Sequence, residues 1–131
     1  MTTTNAQSDS AKYTYATVPT QFVGANGIKF AYRSYGKTGD IPVIYFNHLT
    51  ANLDNCDPKI MDSIAVYRQI ISFDYRGVGA TSGVDATTIQ EMAKDSLAFI
   101  KALGYQKIDI LAFSMGGFIS QEVMGMEPTL V

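Results

Sequence analysis

Lys107-Ile108-Asp109-Ile110-Leu111-Ala112-Phe113-Ser114-Met115-Gly116-Gly117 is the stretch that decides the fold. An apolar, strand-like run delivers one serine into a pair of glycines, and a helical pattern resumes from Phe118 through Met124. The order is strand, sharp turn, helix. A serine at such a turn stands clear of the sheet with its hydroxyl exposed, and the following amide, that of Met115, points into the same space as a donor to an oxyanion. Tight turns admit only small neighbours, a demand met by Ala112 and Gly116 on either side of Ser114. Gly117 is expected to let the helix pack close to the strand. The strict form of the motif has glycine where Ala112 stands, so one methyl group separates the two. Ser114 therefore has two readings: a nucleophile held at a turn, or an N-cap on a helix that follows a buried strand.

Composition bounds the rest. The chain has 131 residues, enough for one small domain with its own core but short for most enzymes of mixed helix and sheet. Apolar residues make up 47% and charged residues 17%, a globular profile. A formal net charge of -2 with interspersed signs leaves no electrostatic footprint for nucleic acid or an anionic membrane. A small or neutral partner fits better. One cysteine, Cys56, excludes an internal disulfide and a multi-cysteine metal site. The start lacks the basic and apolar regions of a secretory signal, and no run approaches the roughly 20 apolar residues of a membrane span. The expected location is cytoplasmic.

Working outward, residues 1–18 have polar composition without hydrophobic period and are expected to form a disordered tail, with order beginning near Gln21. Residues 19–131 form the domain. Gln21-Phe22-Val23 and Ile28-Lys29-Phe30-Ala31-Tyr32 flank Asn26-Gly27, the dipeptide that best supplies the positive φ angles of a tight hairpin. Pro42 to Phe46 and Gln69 to Phe73 read as buried strands, apolar on both faces as strands covered by helices should be. Between them, Asp57-Pro58 supplies an N-cap and a proline at the first helical position, predicting a helix to about Tyr67. Thr88 with Glu91 forms a capping-box signature before a helix that Gly104 stops. Strand and helix alternate after the hairpin. The pattern predicts an α/β fold: a mostly parallel sheet opened by an antiparallel hairpin, helices on both faces, and a sheet truncated after the helix that follows Ser114. The strand from Ile108 to Phe113 is apolar on both sides, yet no later strand follows to cover its neighbourhood, so its second edge is expected to be open.

Three stretches coincide in order: Asn47-His48 at the end of one strand, Asp74-Tyr75-Arg76-Gly77-Val78-Gly79-Ala80-Thr81 after the next, and the turn at Ser114. Together they resemble the N-terminal half of an α/β-hydrolase of the serine-nucleophile branch, over roughly Gln21 to Val131. In that family a His-Gly pair commonly ends the third strand, an Asp-x-Arg-Gly-x-Gly-x-Ser/Thr loop ends the fourth, and the nucleophile elbow ends the fifth. The resemblance implies a hydrolase acting on a small-molecule ester, lactone or related acyl bond, with no cofactor. It implies Ser114 as nucleophile, the amides of Met115 and Thr50 as oxyanion donors, and structural roles near the site for His48, Asp74 and Gly116. Leu49 departs from the pattern, standing where glycine is usual.

His48 is the only histidine, and a serine hydrolase needs an imidazole base. Chain order argues against that role: in the family the acid and then the histidine follow the serine, and neither is encoded between Ser114 and Val131. The 131-residue chain is accordingly expected to be an incomplete and inactive fragment. The alternative is a non-catalytic short product that binds a ligand or partner through the exposed sheet edge, which is also a surface for self-association. Other chemistries fit less well. Gly77-x-Gly79 with Gly83 misses the dinucleotide fingerprint, because Ser82 occupies the third glycine position and the loop follows a later strand. Asp54, Asp57 and Asp62 lack a histidine or regular alternation and read as caps and solvated positions, so no metal is expected. Cys56 has no basic neighbour in sequence to activate it and reads as packing, as do Tyr13, Tyr15, Tyr32 and Tyr35.

Overall fold

A computed structural model describes residues 13–48 and 51–131. The chain runs β1 (Gln21–Ala25), β2 (Ile28–Gly36), β3 (Val43–Phe46), a 3-10 turn (Leu53–Asn55), α1 (Pro58–Ala65), β4 (Gln69–Phe73), α2 (Ile89–Ala102), β5 (Asp109–Ala112) and α3 (Met115–Met126). Local chemistry explains the boundaries. Asn26 and Gly27 take φ of 53 and 77°, turning β1 into β2. Asp57 caps α1 by accepting from the Lys59 N–H, with Pro58 at the first position. Thr88 Oγ1 accepts the Glu91 N–H at 3.0 Å, but the Glu91 carboxylate reaches back to the amide and hydroxyl of Thr87 and leaves the capping box unreciprocated. Gly104 ends the helix region at φ 91°.

The five strands lie in the order β1-β2-β4-β3-β5. β1 with β2 and β2 with β4 are antiparallel, while β3 pairs parallel with both β4 and β5. The chain leaves β3 for β4 on one side and returns past it to β5 on the other. Right-handed crossovers in opposite directions place their helices on opposite faces, so the carboxyl end of β3 is a topological switch point, where open α/β sheets hold their ligands.

Alternation along the strands sorts side chains to two cores. Ile70 faces Tyr15, Val18, Tyr35, Cys56, Met61 and Ala65 on the α1 side. Ile71 and Phe73 face Phe30, Phe46, Phe99, Ile100, Ile119 and Val123 on the side of α2 and α3. Phe73 stacks on Phe99 with ring centroids 4.5 Å apart and meets Phe46 edge-on at 5.6 Å. Fully burying each such ring is worth about 1.5–3 kcal/mol relative to leaving it exposed.

One expectation is corrected here. Residues 13–18 belong to the fold: Tyr15 is 4% exposed and Val18 6% exposed, because a turn at Thr14–Val18 folds them against α1. Residues 1–12 lie outside the described residues. β5 is the edge of the sheet, as a truncated sheet requires: β3 is its only strand neighbour among the described residues, with Asp109 exposed and Ile110, Leu111 and Ala112 half-buried.

Candidate active site

β5 passes through Phe113 into Ser114, which adopts φ 56° and ψ -120°. That backbone is costly for a residue with a Cβ, and a non-glycine residue keeps it only where its surroundings impose it. Three contacts impose it. The Phe113 N–H donates to the Phe46 carbonyl at 3.0 Å, the Gly116 N–H returns to the Phe113 carbonyl at 3.0 Å, and the Gly117 N–H bonds the Ser114 carbonyl at 2.9 Å. Gly116 lets α3 seat on the end of β3, since a Cβ there would lie 2.1 Å from the Phe46 carbonyl oxygen. Gly117 was expected to provide that close approach. It does not, because a Cβ at Gly117 meets nothing within 4 Å.

The two readings of Ser114 separate on geometry. An N-cap serine has extended φ and ψ and accepts a bond from the first helical turn, as Thr88 does for α2. Ser114 has neither property: its φ is positive and its side chain makes no capping bond. It does not act as an N-cap. The residue is exposed at the amino end of α3, where the first N–H groups of a helix lack intrahelical acceptors and the helix dipole favours negative charge.

His48 lies across the strand boundary, its half-buried ring edge-on to Phe113 with centroids 5.5 Å apart. The structure thus brings the histidine beside the residue preceding Ser114. Its backbone N–H donates to Asn47 Oδ1 at 2.8 Å. Leu49 and Thr50 lie outside the described residues.

Asp74 sits at the end of β4, 2% exposed. Its Oδ1 accepts the Leu53 N–H at 2.8 Å and its Oδ2 the Ala80 N–H at 3.2 Å, tying the loop after β3 to the loop after β4. Burial pushes its carboxyl above the ordinary range, while the Ala80 and Leu53 amides pull it partly back. The glycines of this loop answer to the chain itself. A Cβ at Gly79 would lie 2.3 Å from Asp74 Oδ2, and one at Gly77 2.6 Å from the Asp85 nitrogen. Arg76 closes the loop onto α2 through Asp95 at 2.7 Å.

The three acids weighed as metal ligands have internal partners. Asp54 pairs with Arg33, Asp57 caps α1, and Asp62 accepts from the Tyr15 amide and the Tyr35 hydroxyl. Asp62 is therefore neither a cap nor a solvated position. No group of three or more His, Cys, Asp or Glu side chains suited to a metal occurs among the described residues. Cys56 is buried, and burial raises its thiol pKa.

Over residues 41–131 the sequence matches the family model described as alpha/beta hydrolase fold. The chain belongs to that family. Its five strands and the helices around them match the N-terminal half of an α/β-hydrolase. An alpha/beta hydrolase fold protein from Chitinophaga pinensis superposes with a TM-score of 0.88 at 44% identity, covering 91% of this chain and 43% of that one. "Putative non-heme bromoperoxidase BpoC" of Mycobacterium tuberculosis is 35% identical over 105 residues, 79% of this chain and 39% of the relative. 3-Oxoadipate enol-lactonase 1 of Acinetobacter baylyi is 28% identical over 75 residues, 57% of this chain and 28% of the relative. The hydrolase chain thus spans about two fifths of the length of the first two relatives, at 43% and 39%.

One residue of this α/β-hydrolase site escaped the sequence reading as a contributor in its own right. Asn47 is 3% exposed; its carbonyl accepts the Tyr75 hydroxyl at 2.8 Å and its Nδ2 reaches the Asn52 carbonyl at 3.4 Å and Cys56 Sγ at 3.7 Å. The available signal was a lone amide ending an otherwise apolar strand, which must find partners once buried.

Proposed function

We propose that this chain carries the nucleophile and the oxyanion-binding part of a serine hydrolase that cleaves an ester, lactone or related acyl bond of a small molecule. One observation carries the reading: Ser114 is held at φ 56° and ψ -120° with no capping bond, in an exposed position at the start of α3. The Ser114 hydroxyl attacks the acyl carbonyl, forming the Oγ–carbon bond as its proton passes to an imidazole base. The carbonyl electron pair moves onto oxygen, where the Met115 N–H and the amide at Thr50 stabilise the oxyanion. His48 and Asp74 hold the surrounding loops, and Gly116 the seat of the helix. The imidazole and its acid are not assigned among these residues: His48 has the loop-holding role, and no histidine follows Ser114 in the sequence.

The name borne by one relative, an enol-lactonase, supports acyl chemistry on a small molecule as the class. The test is the reading frame extended past Val131. In the extended protein a fluorophosphonate should label Ser114, and Ser114→Ala should abolish labelling and lower acyl-ester turnover by about a thousandfold or more. Turnover that survives Ser114→Ala overturns the assignment.

A further inference from the structure

The Leu53 peptide is gripped from three sides. Its carbonyl accepts the Tyr15 hydroxyl at 2.6 Å and an Arg33 N–H at 3.3 Å, and its N–H donates to Asp74 at 2.8 Å. Tyr15 has one hydroxyl proton, and Leu53 takes it, so Ser72 Oγ at 3.1 Å is the donor to the Tyr15 oxygen. The Arg33 guanidinium lies 5.2 Å from the Tyr15 ring centroid. Tyr15 itself is placed by its own N–H, which donates to Asp62 on α1 at 2.8 Å, and by the turn in which Val18 N–H bonds the Thr14 carbonyl at 2.9 Å.

Leu53 opens a 3-10 turn of three residues, too short to hold its own position. Asn52 ahead of it is joined to Asn47 through Nδ2, and the Asn47 carbonyl is one of the atoms against which Gly116 packs. A connected path therefore runs from the Tyr15 hydroxyl through Leu53, Asn52 and Asn47 to the seat of the Ser114 turn. We propose that residues 13–18 are a strap and that Tyr15 is a positioning residue, its hydroxyl fixing Ala51–Cys56 and Asn47–His48 against the Ser114 turn. This rests on the reading of Ser114 as the nucleophile. Burial raises the Tyr15 pKa, with Cys56 adding to the rise and Ser72 and Arg33 opposing it, so the hydroxyl stays a proton donor at neutral pH.

Tyr15→Phe in the extended protein keeps the ring over Arg33 and deletes only the hydroxyl. It should lower kcat about tenfold with KM within about twofold, and speed amide exchange in a peptide covering residues 51–56. Ile100→Val, in the core on the opposite face, supplies a comparison of similar destabilisation and should leave kcat and that exchange unchanged. An unaltered kcat in Tyr15→Phe, or an equal fall in kcat with Ile100→Val, overturns the proposal. If Ser114→Ala retains turnover, the nucleophile assignment is what fails. The strap is then decided by exchange alone, unchanged protection of residues 51–56 in Tyr15→Phe overturning it.

Discussion

Gly116 and Phe46 are in the closest helix-to-strand approach around the site: a Cβ on Gly116 would stand 2.1 Å from the Phe46 carbonyl oxygen and 2.6 Å from its carbonyl carbon. The same oxygen accepts the Phe113 N–H, so it cannot retreat without loosening the end of β5. Gly116→Ala should cost about 1–3 kcal/mol or more, the range for overpacking against an unyielding neighbour. Gly117→Ala, one residue on and facing open space, should instead stabilise by about 0.5–1 kcal/mol by removing a helical glycine. Urea midpoints of the two variants check this. Equal effects would mean that the close contact does not govern the turn.

Ser114 stores strain that its side chain does nothing to offset within the fold. A non-glycine residue in so sparsely populated a backbone region costs about 1–3 kcal/mol, and its hydroxyl makes no capping bond. Ser114→Gly should therefore raise stability by about 1 kcal/mol after its greater unfolded-chain entropy is subtracted. Ser114→Ala should lie within about 0.5 kcal/mol of the parent. Thermal denaturation of both variants reads this directly, and a large loss with alanine would restore the capping role.

Asp74 should impose a pH dependence of defined sign. Its carboxyl pKa is raised by burial, so between the ordinary value near ~3.9 and the higher folded value the folded state retains a proton that the unfolded chain has released. Stability from this group is fully present below the ordinary value and declines as pH rises through the folded one. Asp74→Asn removes that titration, at a cost of about 1–3 kcal/mol because an amide cannot accept from both the Leu53 and Ala80 N–H groups. The gap between parent and variant should shrink as pH rises from 4 to 7. Chemical denaturation across that range would refute the assignment if the gap widened or stayed constant.

Where signals were local, the fold was legible in the sequence. Asn26-Gly27 dictated the hairpin by its φ angles, Asp57-Pro58 dictated the start of α1, and the apolar run of β4 reported burial on both faces, whereas β3 is buried at Ile44 and Phe46 and only half-buried at Val43 and Tyr45. What escaped depended on distant partners. Tyr15 and Val18 sit in a polar, aperiodic segment, and only the cleft between α1 and the loop after β3 shows why they are buried. Composition counts residues along a chain and carries no record of a cavity waiting for one aromatic ring. The role of Gly116 over Gly117 likewise turns on which residue of the first helical turn faces β3, and two adjacent glycines look alike until that rotation is known. For Ser114 the motif left nucleophile and cap side by side, and the backbone angles bear on the cap alone.

β5 gives the last prediction, for a polypeptide of these 131 residues alone. Its strand partner is β3, registered from Val43–Asp109 to Phe46–Ala112, and no strand covers its second edge among the described residues. Along that edge Ile110 and Leu111 are half-buried and Phe113 is 57% exposed, with Phe118 at 64% close behind in the first turn of α3. Unpaired backbone donors and acceptors flanked by apolar side chains are a template for another chain, and β5 carries one charge, Asp109, already paired with Arg68 at 2.6 Å. The 131-residue polypeptide should therefore self-associate, as a dimer or larger species. On the function proposed above it should also give background turnover only, because that reading assigns the lone histidine, His48, to holding a loop and leaves no base for the Ser114 proton. Sedimentation velocity with a p-nitrophenyl acetate assay on the same sample decides both. A cooperatively melting monomer would remove the edge-pairing claim, and Ser114-dependent turnover would require that a base already lies within these residues.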